Sequence, residues 1–244
     1  MEPLSSRITE AFDYARVAHG HQLRKGSNIP YLYHLLGVAS LVLEFGGTED
    51  QAIAGLLHDV VEDCGEHHSA VLRAKFSDSV ADIVDDCTDG TAESKGTFTT
   101  ADEKRVDWQQ RKERYLSHLE QVGSSTLLVS ACDKLHNARA IVQDMESDGV
   151  GTMVFDRFTG GRDGTLWYYR SLAIIFSTRD TAPSGVLLET VIRMHALAGD
   201  DWAQSIEAGS LRSLPDPAAL ETYRQGQPSE PATSRSQFSF SNRR

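Results

Sequence analysis

Apolar residues recur at helical spacing along most of the 244-residue chain. In the first such stretch Ile8, Phe12 and Ala15 follow one another at intervals of three or four residues, which places them on one face of an α-helix. The same pattern predicts helices joined by short loops at residues 6–20, 32–45, 49–63, 67–76, 79–87, 102–121, 124–146, 164–178, 184–197 and 216–225. Short β-like runs lie only inside these longer helical patterns. The sequence therefore predicts an all-α fold, a single helical bundle.

Turn and capping residues indicate where the predicted helices begin. Ser5 or Ser6 suits the N-cap of the first helix, and Thr48, which follows two glycines, suits the N-cap of the third. Pro30 closes a loop rich in turn residues and would naturally precede a new helix. Residues 89–101 are predicted to form a long flexible loop, and long loops in compact domains are often functional.

The C-terminal part of the chain differs in composition from the rest. We assign residues 1–205 to one domain and residues 206–225 to a short C-terminal helical extension. Residues 226–244 are rich in Ser, Pro and Arg and have little to bury, so a disordered tail is expected there.

Charge and cysteine content limit the classes of function. The chain carries 24 Lys and Arg against 35 Asp and Glu, a net charge of -11, which argues against a general nucleic-acid binder but not against a small polyanionic ligand. No apolar run reaches the roughly 18 residues that cross a membrane, and no secretory signal is evident. Cys64, Cys87 and Cys132 are odd in number and lack CxxC spacing. A reduced, cytoplasmic protein is therefore expected.

One segment combines apolar residues with four ionisable side chains. On a continuous helix, His58 lies one turn from Glu62, and Asp59 lies one turn from Asp63, so two polar pairs occupy neighbouring stripes. A solvated helix surface is the simpler alternative, but the leucines and valines between these residues argue against it. A buried or cleft-lining helix with such charges needs compensation, which a metal ion provides.

Two further residues could complete a metal site. His34 stands among apolar residues at a helix start, where a hydrogen-bonded core histidine is more common than a ligand. Asp133 follows an apolar run and alone would be a routine helix-surface acid. Two imidazoles and two carboxylates together suit a borderline-to-hard divalent ion, whereas closed structural zinc sites favour thiolates.

The order of these motifs resembles the HD phosphohydrolase superfamily: an isolated His, then HDxxED, then D-K-x-H-N. More narrowly, the chain resembles the small alarmone hydrolases, stand-alone relatives of the hydrolase domain in enzymes that make and break (p)ppGpp. The resemblance extends from about residue 8 to 176 and is most specific at HQLRKG (21–26), HDVVED (58–63) and DKLHNAR (133–139). It implies an HD-type helical bundle that hydrolyses the 3′-pyrophosphate of ppGpp or pppGpp by a metal-activated water, releasing pyrophosphate and GDP or GTP.

The same resemblance implies the roles of six residues around the metal. Its metal ligands are His34, His58, Asp59 and Asp133. The implied ion is Mn²⁺, and Fe²⁺, Co²⁺ and Zn²⁺ are chemically possible with these ligands. Catalytic roles fall to Glu62 and Asp63.

Contacts to a guanosine nucleotide substrate are implied for five further residues. In relatives the arginine that corresponds to Arg24 packs on the guanine, and the lysine that corresponds to Lys25 helps to hold the nucleotide. Asn137 would present its amide to the nucleotide. Arg111 and Lys112 repeat a pattern of the small members, and both phosphate contact and ion pairing with nearby acids are open for them.

Three departures from the family pattern concern base recognition rather than the metal site. Leu35 replaces a common proline, Ala140 replaces a common hydroxyl residue, and the loop at residues 26–29 is one residue longer than the common form. Two alternatives are therefore kept. One is an HD phosphohydrolase that acts on a nucleoside monophosphate, NADPH or a cyclic dinucleotide, and the other is a non-catalytic nucleotide sensor.

Overall fold

The computed structural model describes residues 3–90, 98 and 100–202. These residues form ten α-helices and one 3₁₀ helix, and their only β feature is an isolated bridge between Leu23 and Pro30. The α-helices are α1 Ser6–Ala18, α2 Leu32–Glu44, α3 Glu49–Leu57, α4 Val60–Cys64, α5 His67–Lys75, α6 Asp78–Cys87, α7 Ala101–Leu119, α8 Ser124–Glu146, α9 Gly161–Thr178 and α10 Ser184–Leu197. The predicted all-α fold is confirmed.

The predicted caps are present at the helix starts. Ser5 accepts a hydrogen bond from the backbone N–H of Arg7 at the start of α1. Thr48 and Gln51 form a reciprocal capping box at the start of α3. Each such cap satisfies backbone donors that would otherwise lack partners and stabilises its helix by about 1 kcal/mol.

Helix α8 runs through the middle of the bundle and contacts α2, α3, α6, α9 and α10. Because other helices surround it, α8 is apolar on several faces rather than along one stripe. Its buried apolar residues include Leu127, Val129, Ala131, Cys132, Leu135, Ala138 and Ile141. Helices α2 and α3 also approach closely, since a Cβ at Gly55 would lie 3.3 Å from Ala39 Cα. Segments far apart in sequence therefore meet beside the centre of α8.

The single helix predicted at 49–63 is wrong, because the structure divides it. Helix α3 ends at Leu57, α4 begins at Val60, and Asp59 between them has φ -97° and ψ -2°. These angles lie in the bridge region next to the helical one, so a hydrophobic pattern does not reveal the break. His58 and Asp59 therefore lie at a corner of the chain rather than on a continuous helical face.

Other differences lie at the ends of elements. The 3₁₀ helix Gly151–Arg157 was not predicted, and α9 begins at Gly161 rather than at 164. Most of the predicted loop at 89–101, the predicted extension at 206–225 and the predicted tail at 226–244 lie outside the described residues. Among the described helices none is both long and apolar enough to cross a membrane.

Candidate metal centre

Four side chains from three parts of the chain converge beside α8. His34 lies in the first turn of α2, His58 and Asp59 form the corner between α3 and α4, and Asp133 lies in the middle of α8. The ligand atoms of His34, His58 and Asp59 all lie within 4.8 Å of one another. The structure thus brings together all four residues that were predicted as metal ligands.

The distances among the four groups match those around a single ion. His34 Nε2 lies 3.6 Å from Asp59 Oδ2 and 3.2 Å from Asp133 Oδ1. His58 Nε2 lies 3.0 Å from Asp59 Oδ2 and 3.5 Å from Asp133 Oδ1. Atoms that bind one ion at roughly 2.1 Å lie about 3.0–3.5 Å from their neighbours.

Both imidazoles present an unbonded nitrogen to the space between these groups. His34 and His58 are 1% and 2% exposed, and neither Nε2 makes a hydrogen bond. The Nδ1–H of His58 donates to the carbonyl of Gly55 at 2.9 Å, which leaves its Nε2 lone pair free for a metal. Two buried nitrogens that make no hydrogen bond and lie 3.0–3.6 Å from two carboxylates fit a divalent cation.

His136 contacts the Nδ1 side of the His34 ring. The two Nδ1 atoms are 2.9 Å apart, so one of them carries the shared proton. When His34 Nε2 binds an ion, the proton of His34 lies on Nδ1, which then donates to His136 Nδ1. Burial and the neighbouring His34 and Arg24 lower the pKa of His136 to about 4, which keeps it neutral near pH 7. Gly37 leaves room for this ring, because a Cβ there would lie 2.2 Å from His136. The sequence assigned no role to His136, although it lies within the D-K-x-H-N motif.

The two carboxylates also have partners of their own. Asp133 Oδ2 pairs with Lys134 Nζ at 2.6 Å, and its Oδ1 accepts a hydrogen bond from Asn137 Nδ2 at 2.6 Å. Burial would raise the pKa of Asp133, but Lys134 and His58 outweigh this effect and hold the pKa well below its usual range. Asp59 Oδ2 accepts a hydrogen bond from the Tyr31 hydroxyl at 2.5 Å.

The two predicted catalytic acids lie on α4, directly after the corner. Asp63 is exposed and accepts a hydrogen bond from Gln22 Nε2 at 2.7 Å. Glu62 is half-buried and lies near Arg111. Burial would lower the pKa of Arg111, but Asp107, Asp89 and Glu62 together raise it.

The predicted nucleotide contacts on the RK loop lie at the edge of the metal centre. Arg24 Nη2 donates to Asn137 Oδ1 at 2.9 Å, so Asn137 links this arginine to Asp133. Lys25 is exposed in the same loop. Gly26 has a φ of +71°, and a Cβ there would lie 2.5 Å from Arg157 Nε, so the loop needs glycine at this position.

Arg111 and Lys112 are ion-paired in the structure. Arg111 contacts Asp89 at 3.2 Å and Asp107 at 3.0 Å, and Lys112 Nζ pairs with the other oxygen of Asp89. Lys112 Nζ also lies 4.9 Å from the centre of the Tyr168 ring. Ion pairing, one of the two alternatives left open, is therefore present, and phosphate contact stays a prediction.

The chain matches the HD domain family over residues 11–166 and belongs to that family. This family implies a divalent metal, for which His34, His58 and Asp59 form a possible site.

Individual relatives are named for one activity. The chain is 33% identical over 135 residues to guanosine-3′,5′-bis(diphosphate) 3′-pyrophosphohydrolase MESH1 of Xenopus tropicalis, covering 54% of this chain and 68% of that protein. It is also 33% identical over 134 residues to a probable enzyme of the same activity from Synechocystis, covering 55% of this chain but 16% of that protein. The chain thus spans about two thirds of the frog relative and a small part of the longer one.

Solved structures share the fold. One, described as a metazoan ortholog of SpoT that hydrolyzes ppGpp, is 22% identical with a TM-score of 0.50, and the match covers 73% of this chain and 98% of that one. Another, lmo0812 from Listeria monocytogenes EGD-e, is 25% identical with a TM-score of 0.51, covering 65% of this chain and 96% of that one.

Proposed function

We propose that this chain hydrolyses the 3′-pyrophosphate of ppGpp or pppGpp, releasing pyrophosphate and GDP or GTP. The observation that carries the proposal is the convergence of His34, His58, Asp59 and Asp133 directly beside two carboxylates on α4. Similarity to proteins named for this activity supports the choice of substrate.

The metal ligands and the two acids on α4 would have different roles in catalysis. His34, His58, Asp59 and Asp133 would hold a divalent ion, which would supply Lewis-acid activation of a phosphoryl oxygen and of water. Glu62 and Asp63 would orient the attacking water and accept its proton, and general-base help of this kind contributes about 10²–10⁴-fold. Both acids lie on α4, directly after the corner that carries His58 and Asp59.

Nucleotide binding would use the edge of the site formed by the RK loop and α8. Arg24 has a planar guanidinium suited to stacking on a base, and Lys25 is exposed and able to face a phosphate. Asn137 already holds Arg24 through its amide oxygen, so a base that stacks on Arg24 would lie next to that amide. Arg111 and Lys112 would reach a phosphate by sharing or releasing Asp89.

The proposal includes a particular ion and a compartment. Mn²⁺ is the proposed cofactor, because it is the ion that the resemblance to the alarmone hydrolases implies and the set of two carboxylates and two imidazoles is compatible with it. A small guanosine nucleotide is the proposed partner, and the cytoplasm is the proposed location, in keeping with three cysteines that form no disulfide.

The decisive experiment is turnover of ppGpp by the purified full chain with added Mn²⁺, with GDP and pyrophosphate identified as products. Glu62→Gln combined with Asp63→Asn is expected to retain Mn²⁺ and to lose roughly 10²-fold or more in kcat.

A nucleotide panel in the same assay separates the alternatives. Orthophosphate released from a nucleoside monophosphate, without pyrophosphate from ppGpp, would identify a different HD phosphohydrolase. Tight ppGpp binding without turnover by the metal-loaded protein would identify a sensor. Either result overturns the proposal.

A further inference from the structure

We propose that His19 and Gln22 are positioning residues that set the orientation of Asp63 toward the reacting water. This inference rests on the proposed function, because it assigns a role to residues that act through a proposed catalytic acid. Among the described residues, the Asp63 carboxylate accepts a side-chain hydrogen bond only from Gln22 Nε2, at 2.7 Å.

Asp63 needs an external restraint to hold one orientation. Its side chain is exposed on the short helix α4, and an exposed Asp normally samples several rotamers. Gln22 belongs to the loop after α1 and therefore holds the carboxylate from outside its own helix. A hydrogen bond from a separate element restrains the rotamer that helix geometry alone leaves free.

His19 determines which way the Gln22 amide faces. Its Nδ1 lies 2.7 Å from Gln22 Oε1, and because an amide oxygen only accepts, the His19 Nδ1–H is the donor. A flipped Gln22 would turn its NH₂ group toward that N–H and its oxygen toward the Asp63 carboxylate. With the imidazole proton on Nδ1, both contacts would then be repulsive, so this tautomer of His19 favours the orientation in which Gln22 donates to Asp63.

His19 itself is held firmly. It is 4% exposed, and its ring stacks on Tyr31 with a centroid distance of 5.2 Å and an interplanar angle of 30°. The Tyr31 hydroxyl donates to Asp59, and the Tyr31 backbone N–H donates to the carbonyl of Gln22 at 2.8 Å. His19, Gln22 and Tyr31 thus form one unit that contacts both a metal ligand and Asp63.

The hydrogen bonds of His19 favour this positioning role over simple core filling. Its Nε2 is buried and has no hydrogen-bond partner among the described residues, which is unfavourable for stability. The other nitrogen makes its short contact with Gln22, and Cys64 Sγ lies farther away, at 3.9 Å. The imidazole therefore makes its one strong polar contact with the residue that holds Asp63.

The test compares steady-state kinetics of ppGpp hydrolysis for His19→Phe, Gln22→Ala and the wild type in the Mn²⁺-loaded full chain. His19→Phe keeps a ring against Tyr31 but removes the donor. We expect kcat to fall about 10- to 100-fold in both variants. KM and Mn²⁺ affinity should stay within about twofold, because nucleotide and ligand contacts are unchanged.

Two further variants distinguish positioning from a purely structural role. His19→Asn places an amide N–H near the position of Nδ1 and should restore most of kcat. In an Asp63→Asn background, Gln22→Ala should cause no additional loss, since its effect passes through Asp63. The matched control is His21→Asn, which changes an exposed histidine in the same turn and should leave kcat unaltered. An equal loss in the Asp63→Asn background would overturn the inference.

Crystal structures of the wild type and His19→Phe give a readout that does not depend on turnover. The inference expects Gln22 to release Asp63 in the variant, and an Asp63 that stays bonded to Gln22 without His19 contradicts it. A wild type that leaves ppGpp intact would overturn the proposed function alone, and these structures would still decide the role of His19.

Discussion

Each of the four candidate ligands is oriented by a neighbour that does not itself face the ion. Such partners fix the tautomer, rotamer and charge of a ligand before metal binds, and their loss typically lowers metal affinity about 10- to 100-fold. The partners are Gly55 for His58, His136 for His34, Tyr31 for Asp59 and Lys134 for Asp133.

Replacing Tyr31 with Phe tests this orientation on one ligand. Tyr31→Phe removes the hydroxyl that donates to Asp59 and keeps the ring that stacks on His19. We expect Mn²⁺ affinity, measured by calorimetric titration, to fall about 10-fold or more while the fold is retained. Tyr33→Phe is the matched control, because Tyr33 is 51% exposed and its hydroxyl lies outside the ligand contacts. Equal affinities in the two variants would contradict the assignment.

Arg24 gives a prediction about nucleotide binding. Arg24→Ala should raise KM for ppGpp about 10-fold with little change in kcat, because stacking on the base holds substrate and transition state alike. Arg16→Ala serves as the control, since Arg16 is an exposed arginine that pairs with Asp13 on its own helix. A fall in kcat with an unchanged KM would place Arg24 in the chemical step instead.

At the scale of secondary-structure elements, helices α2 and α8 hold the site together through a close contact between a glycine and a histidine. The His136 ring on α8 fills the space above Gly37 on α2, and from there it reaches His34 one turn earlier on α2. The absence of a side chain at Gly37 thus determines both how closely α2 and α8 approach each other and where His34 lies.

Gly37→Ala should therefore destabilise the protein and weaken metal binding. Alanine favours a helix over glycine by up to about 1 kcal/mol, but overpacking against the ring costs roughly 1–3 kcal/mol. Gly185→Ala in α10 is the control, because a Cβ there meets nothing within 4 Å and only the helix-propensity gain remains. Chemical denaturation should show a lower free energy of unfolding for Gly37→Ala and a higher one for Gly185→Ala, and Mn²⁺ titration should show weaker binding for Gly37→Ala. A Gly37→Ala protein as stable as the wild type would refute the contact.

Sequence patterns predicted most elements but not the contacts between them. Helical periodicity located α2 and α8, and the order of motifs located His34 and Asp133, which alone looked like a core residue and a surface acid. The corner at His58 and Asp59 was missed because its dihedral angles are close to helical. The pairing of Lys112 with Asp89 was left open, because it joins residues that no local pattern relates.

At the scale of the whole molecule, metal binding, folding and pH are linked through the buried site. Burial alone would lower the pKa of His58, but Asp59 and Asp133 outweigh it and raise the pKa well above 6.5 in the metal-free protein. The stabilisation from this protonated histidine is fully present below pH 6.5 and is lost as pH rises through the folded-state pKa. A metal requires the same nitrogen without its proton, so metal and proton compete.

The increase in Tm that Mn²⁺ produces should consequently be larger at pH 8 than at pH 6. At the lower pH the site already holds a stabilising proton that the ion must displace, and at the higher pH that proton is less tightly retained. Thermal denaturation of chelator-treated protein with and without Mn²⁺ measures the difference. A shift that is equal at both pH values, or larger at pH 6, would contradict the coupling.

The position of the four ligands along the chain has a consequence for folding. An ion that joins His34, the corner at His58 and Asp59, and Asp133 would act as a cross-link closing a loop of the chain that runs from α2 to α8. Cross-links over long loops remove the most conformational entropy from the unfolded chain. Without the ion, helix packing alone must close this loop, so chelation should expose the segment between α2 and α8 to proteases before the rest of the bundle.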